Sequence, residues 1–205
     1  MITYLNEKYG ENFIYVGYIE SELMESEKLY AYPEQYGLDV GRNTVTVKVE
    51  DDGSFTDDYS SIEVRKYCQK LYDDFIRDYF NSNKAVIYIN NFRCDINSLD
   101  EINNNDFENK VGGTNLIFIS DEICDEEMLK DFLADFLEWS SGHGFHSSNR
   151  IDIFHDVDFS ELTFNNCTDY YDNIIVGYTL SVYGDGTYSV YPETDMTNYG
   201  KNRGE

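Results

Sequence analysis

Three histidines lie within thirteen residues of one another, and three aspartates lie close by. These residues are His143, His146 and His155, with Asp152, Asp156 and Asp158. Imidazole and carboxylate groups are the ligands that zinc and other transition metals take in proteins. The spacing fits neither H-E-x-x-H nor H-x-H, and the first two histidines stand in a stretch rich in glycine and serine. The segment therefore supports two hypotheses, a metal site or a surface loop that carries incidental histidines.

A second segment concentrates negative charge. Residues 121–138 contain eight acidic residues and one basic residue, Lys130. Asp131, Asp135 and Glu138 recur at spacings of four and three, which places them on one face of a helix, beside its apolar stripe. Like charges at this spacing destabilise a helix slightly, and no lysine offsets them there. We take the tolerated repulsion as an indication that the charge has a use, the alternative being a merely solvated face.

This segment supplies most of the residues that we expect to contact a partner. They are Asp121, Glu122, Asp125, Glu126, Glu127, Asp131, Asp135 and Glu138, with Asp152, Asp156 and Asp158 in support.

The overall charge restricts the class of partner. The chain has 205 residues, of which 40 are acidic and 15 are basic, so 15 − 40 gives a net charge of −25. Such a charge disfavours direct binding of nucleic acid or anionic lipid, because the phosphates would be repelled. It favours a basic partner, bound cations or plain solubility. Apolar residues make up 41% and aromatic residues 16% of the chain, which is too much for a disordered acidic tail.

No motif supports an enzyme. The sequence contains no G-x-S-x-G elbow, no P-loop and no G-x-G-x-x-G, and we expect no cofactor. The four cysteines, Cys68, Cys94, Cys124 and Cys167, form no C-x-x-C pair. The opening residues lack the apolar core of a signal peptide, and no apolar run reaches the ~18 residues of a membrane span. We therefore expect a cytoplasmic protein with reduced thiols.

The elements that must position these residues are two helices and a set of strands. Apolar residues at spacings of three and four predict helices at about 61–80 and 125–140, the second capped by Asp125. Two hairpins are predicted where a turn sequence lies between runs of strand-forming residues. The turn sequences are Asp51-Asp52-Gly53 and Gly184-Asp185-Gly186. Further strands are expected at 12–19, 28–32, 85–89, 116–119 and 151–154, and residues 90–113 read as polar loop.

These elements predict an α+β fold, with a mixed or antiparallel sheet and the two helices packed on it. We expect a single domain over residues 1–205, with a possible weak subdivision near 100–113. Whether there is one core or two stays open at this stage.

The opening of the chain carries a resemblance. Residues 4–13 read Y-L-N-E-K-Y-G-E-N-F, and Asp57-Asp58-Tyr59 follows the first predicted hairpin. This pattern resembles small uncharacterised acidic proteins of low-GC Gram-positive bacteria over the first ~80 residues. The resemblance implies a bacterial or mobile-element origin and an order of short helix, strands, acidic hairpin and long helix. It implies no activity.

Together these observations predict an acidic cytosolic binding protein that covers a basic surface of another protein. A nucleic-acid-mimicking inhibitor of a bacterial defence nuclease and an immunity protein are two forms of this function. One alternative is a metal-binding domain or metal-dependent enzyme that uses the 143–158 cluster. The other is a soluble domain with no specific interaction.

Overall fold

The chain folds into two compact units, Met1–Val64 and Arg65–Glu205. The computed structural model describes residues 1–20, 27–39, 42–96, 98–102, 105–183 and 187–192. The fold is α+β, as predicted. The two units divide between Val64 and Arg65, within a helix.

The first unit contains a short helix and an antiparallel four-stranded sheet. Its elements are α1 (Ile2–Tyr9), β1 (Phe13–Ile19), β2 (Lys28–Pro33), β3 (Val45–Val49) and β4 (Phe55–Asp57), in the sheet order β1-β2-β3-β4. Alternate residues of β2 and β3 are buried, and Leu29 lies opposite Val47 while Ala31 lies opposite Val45. These four residues form the core with Leu5 and Phe13, so the period-two pattern of the sequence buries one face of the sheet.

The first predicted hairpin is confirmed. Strands β3 and β4 pair antiparallel, and the Gly53 N–H donates to the Glu50 carbonyl oxygen at 2.9 Å. Gly53 has a φ of 81°, which glycine adopts at no steric cost. In the second hairpin the two strands also pair antiparallel, and its turn residues 184–186 lie outside the described residues.

The second unit is a five-stranded mixed sheet with two helices on one face. Helix α2 (Tyr59–Phe80) begins in the first unit and continues into the second. The other elements of the second unit are β5 (Ala85–Cys94), β6 (Val111–Ser120), α3 (Glu126–Gly142), β7 (Phe145–Phe154), β8 (Ile174–Val182) and β9 (Tyr188–Pro192). The sheet order is β5-β6-β7-β8-β9, and β6 and β7 are parallel because α3 crosses between them. Both long helices lie where the sequence predicted them.

The helix-covered face of this sheet is packed with aromatic rings. Tyr72 and Phe75 of α2 meet Phe136 and Trp139 of α3, with ring centroids 4.7 Å apart for Phe75 and Trp139. Tyr72 also stacks on Phe145 of β7 at 5.1 Å. This cluster fixes both helices against one face of the sheet.

The other face is covered in part by the segment that follows β7. Phe118 of β6 and Phe154 of β7 pack against Phe159, Leu162 and Cys167 of that segment. Alternate residues of β6 and β7 therefore belong to two different cores.

Strands β5, β6 and β7 are longer than predicted. Residues 90–94, 111–113 and 145–146 were expected in loops, and residues 114–115 and 147–150 were not assigned to a strand. All of them lie in strands. They carry polar side chains on both faces, so they lack the alternation that identifies a half-buried strand.

None of the helices in the described part of the chain combines the length and the apolar character that crossing a bilayer requires.

Candidate functional site

Helix α3 begins with a side-chain cap. The Asp125 carboxylate accepts a hydrogen bond from the Met128 N–H at 2.9 Å, and Glu126 and Glu127 occupy the first turn. Carboxylates at this end are stabilised by the partial positive charge of the helix N-terminus. Three of the predicted contact residues therefore also define where the helix starts.

The apolar stripe of α3 faces the sheet, as its spacing predicted. Leu129, Phe132 and Phe136 are buried, whereas Met128, an apolar residue of the same segment, is 43% exposed. Met128 directly precedes Leu129, and residues adjacent on a helix point in directions about a quarter-turn apart. The buried stripe of α3 is therefore narrower than the run of apolar residues in its sequence.

Several predicted contact residues are ion-paired with bases of the second unit. Lys84 pairs with Glu122, Lys130 Nζ lies 2.7 Å from Glu126, and His155 Nδ1 lies 2.7 Å from Asp121. The Asp121 carboxylate raises the pKa of His155 above 6.5 through this hydrogen bond. These pairs lie around the end of the sheet where β6 and β7 finish, so positive charge offsets part of the negative charge there.

The rest of α3 presents carboxylates without such partners. Asp131, Asp135 and Glu138 are exposed, and none of them forms an ion pair with another described residue. At 1.5 Å of rise per residue they form a row about 10 Å long. No ion pair with a described residue offsets the negative charge of this row.

A tyrosine of α2 adjoins this row. Tyr79 is half-buried, and its ring lies 5.3 Å from that of Phe132. Burial raises the pKa of the Tyr79 hydroxyl, and the Asp135 and Asp131 carboxylates raise it further by repelling the phenolate. A neutral tyrosine beside carboxylates can receive a guanidinium group through both ring and hydroxyl.

One predicted contact residue does not belong to this surface. Asp152 was expected on an exposed face, but its side chain is fully buried and accepts hydrogen bonds from Arg150. The reason is that residue 152 lies within β7 and points to the face that the following segment covers. Asp156 and Asp158 are exposed just beyond the strand, and Asp158 accepts a hydrogen bond from the Ser160 N–H at 2.9 Å.

The three histidines do not converge. His143 ends α3, with Nδ1 2.8 Å from the Trp139 carbonyl oxygen. His146 lies near the start of β7 and His155 just after its end, and nine residues of extended strand span about 30 Å. The described residues contain no group of three or more His, Cys, Asp or Glu side chains placed to hold a metal ion. The glycine- and serine-rich stretch was predicted as a loop, whereas His146 lies in a strand.

A groove that the sequence did not predict crosses the sheet face opposite the helices. Strand register aligns its side chains in three rows, spaced about 7 Å apart along the strands. The first row is Arg93, Gly112 and His146; the second is Asn91, Thr114, Ser148 and Ser181; the third is Leu116, Arg150 and Thr179. Gly112 leaves no room for a side chain, because a Cβ there would lie 2.4 Å from the His146 carbonyl oxygen.

Two adjoining cavities occupy this groove. One of about 620 Å³ lies between the third row and the segment that contains Phe164, Cys167 and Tyr171. One of about 350 Å³ lies over the first two rows. Thr114 and Ser148 line both cavities.

Comparisons with known proteins add no function. No protein-family model matches the sequence, and no curated protein matches it. A structural comparison aligns the chain with the crystal structure of a DUF5037 family protein from Ruminococcus gnavus, with 13% identity and a TM-score of 0.39. That alignment covers 96% of this chain and 94% of the other. The resemblance of the chain's opening to a bacterial group stays a prediction.

Proposed function

We propose that the protein is a non-enzymatic binding protein of the cytosol, which covers a basic surface of another protein with the exposed face of α3. The observation that carries this proposal is the row of Asp131, Asp135 and Glu138, exposed and without an ion pair among the described residues. Neighbouring carboxylates repel one another, and arginines or lysines of a partner would relieve that repulsion.

The surface around this row enlarges the contact. Glu126 and Glu127 precede it on the same helix, and Tyr79 lies beside it. Asp121, Glu122, Asp125, Asp156 and Asp158 extend the negative surface around the end of the sheet. Asp152 takes no part, because it is buried against Arg150.

The charge favours one class of partner. Nucleic acids and anionic membranes are repelled by a net charge of −25, whereas a protein that itself binds nucleic acid presents a groove of arginine and lysine. Occupying such a groove would block it, and electrostatic attraction would speed the association. An inhibitor of a bacterial defence nuclease and an immunity protein that covers a basic toxin both work in this way.

Affinity capture from a bacterial lysate tests the proposal. The bait is the wild-type chain, compared with the triple variant D131K/D135K/E138K at low salt and at about 0.5 M salt, where exposed charges are strongly screened. The proposal expects one basic nucleic-acid-binding protein, captured at low salt by the wild type and lost with the triple variant.

A matched control separates a local surface from overall charge. The variant E161K/D169K/D172K changes the net charge by the same amount and alters exposed acids in the segment on the opposite sheet face. It should capture the partner as the wild type does. A soluble domain with no specific interaction predicts instead that all three baits capture the same proteins.

A metal function has less support from the geometry, because the three histidines lie apart. It predicts a metal ion bound per chain, lost when His143, His146 and His155 are replaced by alanine. Metal analysis of the purified protein distinguishes it from the first proposal.

A further inference from the structure

We infer that the groove on the sheet face opposite α2 and α3 binds a small organic anion, a molecule that carries a carboxylate or phosphate group on an apolar or planar body. This site is independent of the acidic face of α3, which lies on the other side of the sheet.

The dimensions of the groove suit such a ligand. Pockets that bind small molecules measure about 300–1,000 Å³, and the larger cavity has about 620 Å³. Leu116, Phe164 and Tyr171 supply apolar and aromatic wall, and Thr168 and Thr179 supply hydroxyl groups. An apolar wall with a few placed polar groups is the usual composition of a ligand site.

The orientation of Arg150 is fixed from two sides. Its Nε donates to the buried carboxylate of Asp152 at 2.8 Å and 3.1 Å, and its guanidinium lies 5.1 Å from the centre of the Tyr171 ring. The Arg150 side chain is only 16% exposed, so it forms part of the wall and does not extend into solvent. A guanidinium held in this way recognises planar oxyanions with little loss of side-chain entropy.

The groove differs from the rest of the protein in having no acidic side chain among its described lining residues. Of the 205 residues, 40 are acidic, yet none of the described residues that line the two cavities is acidic. Arg93, Arg150 and His146 are among them, and Arg93 forms no ion pair with a described residue. Asp152 offsets the charge of Arg150, so Arg93 supplies the positive charge of the groove that no described carboxylate offsets, and this favours a negatively charged ligand.

Calorimetric titration of the full chain tests the inference with three probes: phenyl phosphate, benzoate and the neutral benzyl alcohol. We expect an anion to bind with one molecule per chain at a Kd of about 1 mM or below, and benzyl alcohol to bind at least about tenfold more weakly. Tighter binding of phenyl phosphate would indicate a phosphate ligand, and tighter binding of benzoate a carboxylate. Equal binding of all three probes, or binding of none, would overturn the inference.

Two variants locate the binding. Ser148→Leu fills the junction of the cavities and should weaken binding at least about tenfold. Arg93→Gln changes only an exposed side chain, so it keeps the test valid if the first variant does not fold, and it should weaken binding about three- to tenfold. Lys130→Gln removes the same charge from α3 and should leave the affinity unchanged. Loss of affinity that is equal for Arg93→Gln and Lys130→Gln would contradict a site in the groove.

Discussion

Arg150 donates its Nε hydrogen to both carboxylate oxygens of Asp152, a side chain with no exposure to solvent. The two residues are two positions apart on β7, so both point to the sheet face opposite the helices. The pair explains why an aspartate that sequence patterning placed on an acidic surface lies inside the protein.

Removing one partner of this ion pair should lower the stability of the protein strongly. Arg150→Met leaves the Asp152 carboxylate buried without its cation, which should lower the free energy of unfolding by about 3–5 kcal/mol. The double variant R150M/D152L removes both charges and should recover most of that loss. Urea denaturation measures both. A double variant as unstable as the single one would show that the ion pair is not the cause.

At the cap of α3, the contribution of the hydrogen bond to stability can be separated from that of the negative charge. Asp125→Ala removes the acceptor of the Met128 N–H and should cost about 1 kcal/mol. Asp125→Ser keeps an acceptor and removes the negative charge, so it should cost much less. The midpoints of thermal unfolding distinguish the two variants. Equal losses would mean that charge at the helix N-terminus, and not the hydrogen bond, is what stabilises this end.

The hydrogen bonds of Asp57 should make the stability of the first unit depend on pH in the acid range. Its buried carboxylate accepts hydrogen bonds from Lys8 at 2.7 Å, Tyr9 at 2.6 Å and Tyr4 at 2.8 Å. Burial alone would raise its pKa, but these donors outweigh burial and hold the pKa of Asp57 below 3.8. A lowered folded-state pKa contributes stability that is complete above the unfolded-state value and is lost as the pH falls through the folded-state value.

Asp57→Asn should therefore lower the stability at pH 7 by about 1–3 kcal/mol, and its stability should converge with that of the wild type as the pH falls below 3.8. Denaturation in urea at a series of pH values measures this. Asp51→Asn in the exposed hairpin turn serves as the control, with a change of less than about 0.5 kcal/mol. A difference between wild type and Asp57→Asn that stays constant with pH would contradict the account.

The pKa of His155 is raised, whereas that of Asp57 is lowered. Its hydrogen bond with Asp121 raises the pKa of the imidazole above 6.5. A raised folded-state pKa contributes stability that is complete below 6.5 and is lost as the pH rises through the folded-state value. In a proton NMR titration the ring resonances of His155 should have a midpoint above 6.5, and Asp121→Asn should return it toward 6.5. An unchanged midpoint in Asp121→Asn would show that the pair does not form in solution.

The fold class and both long helices could be predicted from the sequence, since Val64, Cys68 and Phe132 belong to apolar stripes with helical spacing. The polar halves of β5, β6 and β7 could not be predicted in this way. Asn115 and Asn149 face the helices, where they hydrogen-bond to each other at 2.7 Å, while Thr114 and Ser148 face the groove. With polar residues on both faces, periodicity no longer indicates a strand.

The two candidate sites also differ in whether the sequence could predict them. The acidic face of α3 could be predicted because a helix brings residues three and four apart together. The groove could not, because Arg93, Arg150 and Tyr171 are far apart in sequence and meet only through strand register and the path of the segment after β7. The histidines between 143 and 155 failed as a cluster for the converse reason, since an extended strand separates residues that are near in sequence.

The role of the exposed face of α3 is tested most directly by measuring, at about 0.15 M salt, the affinity of the captured basic partner for three forms of the protein. D131K/D135K/E138K should bind at least about a hundredfold more weakly than the wild type, because three contacts between opposite charges become repulsive. E161K/D169K/D172K, with the same net charge, should bind within about threefold of the wild type. Equal affinity of the two triple variants would contradict the claim that the exposed face of α3 is the binding surface.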